Sequence, residues 1–178
     1  MVMNGLGFLP FSFLTVILFV AAVMDIRVHK IPNWLTYPTM VIALAGHTWS
    51  GGWQGFLFSL QGMALGLAIL IVPYVIGGMG AGDTKLLAAV GGILGPGGVF
   101  TAFLFTAVIG GIYALALLTV RGYFTQALRQ AANISKTFVL TGTLVLPPVP
   151  TRMKNLELYY GFAIALGTFL SVNWKDLI

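Results

Sequence analysis

The chain has 178 residues, of which 58% are hydrophobic and only 7% are charged. A soluble domain averages about 25% charged residues, so the composition excludes a soluble globular protein and predicts a single membrane-embedded domain over residues 1–178. The net charge of +5 is explained by the positive-inside bias of membrane proteins, and nucleic-acid binding is not expected. The absence of cysteine excludes disulfides and thiolate metal sites.

Apolar runs predict three membrane-spanning helices in the first half of the chain. Residues 8–24 form the first, and we interpret it as a retained span because no cationic region or cleavage site of a secretory leader accompanies it. Pro32 disfavours a helical Ile31, so the chain is expected to turn there. The second and third spans are expected over residues 33–48 and 56–76, with a glycine-rich break between them.

The second half is predicted to hold a short helix, two more spans and an interfacial helix. The short helix begins at Asp83, after the glycine-rich break, and ends at the glycines and proline of residues 95–98. At about 18–20 Å it is too short to cross a bilayer alone, which predicts shielding by protein or a thinned membrane. Spans follow over residues 99–120 and 156–172. The basic segment 121–136 between them predicts an interfacial amphipathic helix.

The cations determine the predicted orientation. Eight of the nine lie in four loops, which are residues 26–30, 85, 121–136 and 152–154, whereas the intervening turns hold none. A topology with the N-terminus outside places every basic loop in the cytoplasm. The predicted fold class is therefore an all-α, polytopic membrane protein of about six transmembrane helices. Asp25 and Asp83 then lie on the same, cytoplasmic side.

Asp25 and Asp83 also share a local setting, since each lies where an apolar segment meets a loop. A charged side chain near hydrocarbon is costly and by default marks a functional site or a buried partner. Each has a structural alternative: Asp83 as a helix N-cap, and Asp25 as an ion-pair partner of Arg27 or Lys30. Together they favour a functional pair, in which two close carboxyls share one proton. Such a pair can hydrolyse an amide by general acid–base chemistry, without metal or cofactor.

Gly80 and Gly82 precede Asp83 in the string GAGD. The lack of Cβ atoms there leaves room for a substrate backbone and permits a positive φ. Helix packing through small residues is the structural alternative for the glycines. His29 and His47 are far apart in the sequence, and a metal site is not expected.

Three blocks of the sequence resemble one family. They are DIRVHKIPNWLT (25–36), GGMGAGDTKLLAAVG (77–91) and YYGFAIALGTFL (159–170), and they resemble the type IV prepilin peptidases, which are GxGD membrane aspartyl proteases. The first block matches the family's Asp-x-Arg followed by Ile-Pro-Asn, and the second matches its GxGDxKL block. The third looks like the family's terminal Pro-Tyr-Gly-x-Ala-Ile-Ala-x-Gly segment, with Tyr159 where proline is usual.

By that resemblance, Asp25 and Asp83 are the catalytic pair. The positions that match the motifs as active-site support are Gly80, Gly82, Lys85, Arg27, Pro32 and Asn33. Lys85 is expected to bias the two acids electrostatically or, as the favoured alternative, to snorkel to the membrane interface. Asn33 is expected to cap the second helix.

The resemblance implies an endopeptidase of the bacterial cytoplasmic (inner) membrane whose active site faces the cytoplasm. Its partners would be the lipid bilayer and a prepilin or pseudopilin substrate, cleaved after a glycine. Larger members carry a cytoplasmic domain with paired CxxC motifs linked to N-methylation. This chain lacks those motifs and looks like the short form associated with Tad/Flp-type pilus systems, so neither methyltransferase activity nor S-adenosylmethionine is expected.

Two other functions remain compatible with the residues. The two acids could form a proton or cation relay in a small transporter or channel. The chain could also be a non-catalytic assembly protein of a secretion system, in which Asp83 only caps a helix.

Overall fold

The computed structural model describes residues 8–141 and 159–175, and this part of the chain is folded into five α-helices without any strand. The helices are α1 (Phe8–Val28), α2 (Asn33–Val75), α3 (Ala81–Val120), α4 (Phe124–Thr141) and α5 (Tyr160–Lys175). The predicted all-α class is confirmed. Both α2 and α3 are long and apolar enough to cross a membrane, and many of their large apolar side chains point outward, as expected for a membrane protein.

The long helix α2 folds back on itself at Gly52, whose φ of 57° and ψ of −136° lie outside the helical region. The rings of His47 and Phe58, on either side of Gly52, lie 5.1 Å apart. Eleven residues of straight helix would separate them by about 16 Å. Helix α2 therefore consists of two segments, residues 33–51 and 53–75, and the predicted break between the second and third spans is confirmed.

Helix α3 contains a second break at Gly95, where φ is 71° and ψ is −178°. Residues 81–94 before it form the predicted short helix, which begins at Ala81, two residues earlier than expected. All residues from 86 to 93, including the two glycines, are buried. A helix that is apolar all round is covered on all sides by other parts of the protein. Shielding by protein, one of the two predicted explanations, therefore applies to this helix.

Small residues let the second segment of α2 pack directly on the short helix of α3. Gly62 and Gly91 contact each other backbone to backbone, and a Cβ added at Gly66 would lie 2.6 Å from the Leu87 carbonyl oxygen. Membrane helices approach closely through such contacts. The buried apolar cluster around them draws on α1, α2, α3 and α5, and its members are Ala21, Ile31, Leu35, Leu70, Leu86, Leu87, Val99 and Ile164.

The described residues fall into two compact units, one formed by residues 8–110 with 159–175 and the other by residues 111–141. The first unit contains all the described motif residues. The second contains the end of α3, a turn at Gly122 with φ of 71°, and the amphipathic helix α4, which confirms a helix in the segment predicted to be interfacial. The basic loop at residues 152–154 and the start of the last span at residue 156 lie outside the described residues. The single domain, the six spans and their orientation stay predictions.

Candidate active site

Asp25 is buried near the end of α1, with 7% of its surface exposed. Its carboxylate Oδ2 accepts a hydrogen bond from the backbone N–H of Phe162, at 3.1 Å. Phe162 lies in the first turn of α5, where amide groups have no acceptor within the helix. Gly161 makes the approach possible, since an added Cβ there would stand 2.9 Å from Cγ and 3.0 Å from Oδ2 of Asp25. Asp25 therefore caps α5 from a different helix.

The alternative of an ion pair for Asp25 does not describe the structure. Arg27 and Lys30 are both exposed, and the hydrogen-bond donor to the carboxylate is an amide of α5. Arg27 lies in the last turn of α1, where a cation interacts favourably with the helix dipole. Arg27 is thus close to Asp25 in the sequence, but it is not the group that holds the carboxylate.

Asp83 is the third residue of α3 and is 8% exposed. Its Oδ2 accepts a hydrogen bond from the backbone N–H of Gly80 at 3.1 Å, which is the reach-back half of a capping box. Asp83 thus caps the helix from its third position and is not the N-cap residue. Gly80 and Gly82 do not adopt the positive φ that glycine permits, and the positive φ in this turn is at Gly77.

Ile31 brings the two acids to one place. A Cβ added at Gly82, the residue before Asp83, would stand 3.0 Å from Ile31 Cβ and 3.2 Å from its backbone N and O. A Cβ added at Gly161, the residue against which Asp25 packs, would stand 2.8 Å from Ile31 Cδ1. Both glycines therefore contact the same buried isoleucine. The Asp25 and Asp83 carboxyls also interact electrostatically.

Lys85 is bound to the first turn of α2. Its Nζ donates a hydrogen bond to Asn33 Oδ1 at 2.9 Å and stands 5.0 Å from the centre of the Tyr37 ring. The expectation that Asn33 caps α2 was wrong, because Asn33 is the first helical residue and Pro32 occupies the N-cap position without a side-chain hydrogen bond. Pro32 keeps Ile31 out of the helix, as predicted.

The sequence did not single out several residues that surround the acids. Gly161 and Phe162 lie within the third quoted block, yet nothing local showed that they contact Asp25. His29 was set aside, but its φ of 53° is unusual for a residue other than glycine. Its ring stacks on Tyr159 at 5.1 Å. The described residues contain no group of three metal-ligating side chains.

The arrangement supplies two buried carboxylates that interact with each other and are each held by a backbone amide. Two carboxyls that interact in a buried site do not both ionise at low cost, and such a pair can share one proton. The ionised member can accept a proton while the protonated member donates one. The fold and site thus define a class: helical membrane proteins with a paired-carboxylate site at helix ends.

The comparisons with known proteins identify the family. Residues 12–115, which include Asp25 and Asp83, match the type IV leader peptidase family, and the chain belongs to this family. The chain is 35% identical over 129 residues to the prepilin leader peptidase/N-methyltransferase of Bacillus subtilis strain 168, over 70% of this chain and 51% of the relative. The chain thus spans about half the length of the curated relative that it matches. No solved structure matches the chain significantly.

Proposed function

We propose that the protein is a membrane aspartyl endopeptidase that removes the leader peptide of type IV prepilins or pseudopilins. Membership of the type IV leader peptidase family supports the reaction class. The observation that carries the proposal is the shared contact of Gly82 and Gly161 with Ile31, since Gly82 precedes Asp83 and Gly161 contacts Asp25. Asp25 caps α5 and Asp83 caps α3 independently of each other, so capping alone does not account for the location of both acids beside Ile31.

In the proposed reaction, a water molecule lies between the two carboxyls. The ionised carboxylate takes one proton from the water, whose oxygen attacks the scissile carbonyl carbon, while the protonated carboxyl donates its proton to the carbonyl oxygen. A tetrahedral diol results. When the diol collapses, one hydroxyl proton returns to a carboxylate, the other carboxyl protonates the amide nitrogen, and the C–N bond breaks. The pair regains its single shared proton at the end of the cycle.

The substrate class follows from the space beside Asp83. Gly80 has no side chain, and the nearest atom to an added Cβ there is Asp83 Oδ2 at 3.2 Å, so a substrate backbone can approach this carboxylate closely. The corresponding face of Gly82 is occupied by Ile31. A glycine before the scissile bond suits the same restricted space. We therefore propose cleavage after a glycine, at the cytoplasmic face of the inner membrane, in a Tad/Flp-type prepilin. The proposal concerns peptide-bond hydrolysis alone.

The test is cleavage of a prepilin by the purified protein in detergent, with Asp25→Asn and Asp83→Asn beside the wild type. Asparagine keeps an oxygen that can accept the amide hydrogen bond, so both variants should fold. We expect the cleavage rate to fall roughly 10²–10⁴-fold in each, with an unchanged unfolding temperature. A prepilin whose glycine before the scissile bond is replaced by valine is the substrate control and should not be cleaved.

The same variants separate the other two functions. A transporter or channel would lose ion flux in both Asn variants, whereas the wild type would show no prepilin cleavage. An assembly protein in which Asp83 only caps α3 would keep its function in Asp83→Asn. Cleavage at the wild-type rate by either Asn variant would contradict the proposed mechanism.

A further inference from the structure

Lys85 contacts α2 on one face of its first turn. Asn33 and Tyr37 are four residues apart in a helix and therefore neighbours on the same face. The ammonium group donates to Asn33 Oδ1 at 2.9 Å and lies over the Tyr37 ring at 5.0 Å. Lys85 and Asn33 are 52 residues apart in the sequence. The contact therefore joins the start of α3 to the start of α2.

This geometry separates Lys85 from the carboxyl chemistry. Residues two apart on a helix do not face each other, so Lys85 and Asp83 project to different sides of α3. The Asp83 carboxylate accepts its hydrogen bond from the Gly80 amide. The cation is instead held by a neutral amide and an aromatic ring of α2.

The Lys85 contact and the Gly82 contact lie on either side of Asp83 in the sequence. Gly82 packs on Ile31. Lys85 donates a hydrogen bond to Asn33, which is two residues after Ile31. The corner formed by residues 31–33 also supports Asp25, since Ile31 reaches Gly161. The segment 31–33 is thus the common support of both acids, and α3 is attached to it at two points.

We propose that Lys85 is a positioning residue that, through Asn33, fixes the first turn of α3 on the 31–33 corner and so sets the place of Asp83 relative to Asp25. This inference rests on the proposed function. Removing the attachment lets Asp83 move away from Asp25, and a displacement of about 1 Å at reacting groups can lower a rate by roughly 10²-fold. The defect falls on the chemical step and not on substrate binding.

The kinetic test compares Lys85→Met, Asn33→Leu and the double variant in prepilin cleavage. We expect each single variant to lower kcat roughly 10- to 100-fold with little change in KM, and the double variant to be no worse than Lys85→Met, because both substitutions break one contact. Lys85→Arg, whose guanidinium can still donate to Asn33, should restore part of kcat. The matched control is Lys136→Met, which removes an exposed lysine of α4 and should leave kcat unchanged.

The pH profile distinguishes positioning from a direct charge effect. A cation that acts on the acid pair favours the ionised carboxylate, so its removal would shift the acidic limb of the rate profile to higher pH. Positioning leaves that limb in place and lowers the whole profile. A shifted limb in Lys85→Met, together with normal turnover in Asn33→Leu, would overturn the inference.

A measurement that does not need activity keeps the inference separate from the proposed function. Hydrogen exchange of the peptide covering residues 77–86 reports the amide of Gly80, which is bonded to Asp83. We expect faster exchange in Lys85→Met and Asn33→Leu than in the wild type and Lys136→Met. If the wild type fails to cleave any prepilin but the exchange pattern holds, the proposed function fails and the attachment stands. Unchanged exchange in both variants would contradict the attachment itself.

Discussion

The carboxylate of Asp25 and the backbone amide of Phe162, 137 residues apart in the sequence, are joined by a hydrogen bond of 3.1 Å. The bond depends on Gly161, because α5 can approach the carboxylate only where no Cβ intervenes. A carboxylate that accepts a hydrogen bond from an amide at a helix N-terminus is held in one orientation. Helix α5 therefore takes part in holding the candidate site, although it lies outside the region that matches the family.

Gly161→Ala should impair cleavage without unfolding the protein. The new Cβ would meet Cγ of Asp25 at 2.9 Å and Cδ1 of Ile31 at 2.8 Å, and these are side-chain atoms that can shift. We expect kcat to fall roughly 100-fold and the unfolding temperature to stay close to that of the wild type. The control is Gly111→Ala, where an added Cβ meets nothing within 4 Å. Normal cleavage by Gly161→Ala would show that the placement of Asp25 against α5 is not required.

Gly62→Ala should destabilise the protein, in contrast to Gly161→Ala. The added Cβ would overlap the backbone carbonyl of Gly91, which cannot move without shifting the short helix of α3. Overpacking of this kind costs about 1–3 kcal/mol, and the free energy of unfolding in detergent, measured by circular dichroism, should fall by that amount. Gly46→Ala, whose Cβ meets nothing within 4 Å, should be neutral or more stable. Equal stability of the two variants would contradict the close helix contact.

The sequence predicted those features that depend on local residue patterns. Apolar runs marked the helices, glycine clusters marked the reversal at Gly52 and the break at Gly95, and the scarcity of acids marked Asp25 and Asp83. Each of these is decided by a residue and its near neighbours. The predicted start of α3 was two residues too late. The sequence alone does not distinguish an acid at the N-cap from an acid that caps a helix from its third position.

The sequence did not predict which distant groups hold the two acids. The Phe162 amide, the Ile31 side chain and the pairing of Lys85 with Asn33 are tertiary contacts, and they depend on how closely two helices approach. That approach is determined by single glycines such as Gly161. The importance of its missing Cβ can be recognised only when the atom opposite it is known. A sequence rich in glycine offers many such positions without distinguishing among them.

Ser59→Ala should weaken the end of the short helix in α3. The last carbonyls of a helix have no donor within it, and here the buried Ser59 hydroxyl donates to the Gly92 carbonyl at 2.9 Å, while His47 Nε2 lies 3.0 Å from the Ile93 carbonyl. Leaving one buried acceptor unsatisfied costs about 1–3 kcal/mol, which denaturant unfolding in detergent should detect. Ser50→Ala, which removes an exposed hydroxyl bonded within α2, should change stability by less than about 0.5 kcal/mol.

Thr168→Val should stabilise the protein. Within the part of the chain that the structure describes, Thr168 Oγ1 is buried and has no hydrogen-bond partner. A buried hydroxyl without a partner keeps its full desolvation cost, so replacing it by a methyl group of the same shape should raise the free energy of unfolding by about 1 kcal/mol. The matched control is Thr106→Val, because the buried Thr106 hydroxyl donates to the Ala102 carbonyl at 2.8 Å. That variant should be neutral or lose up to about 1.5 kcal/mol. If Thr168→Val lost as much stability as Thr106→Val, the Thr168 hydroxyl would have a partner such as a buried water.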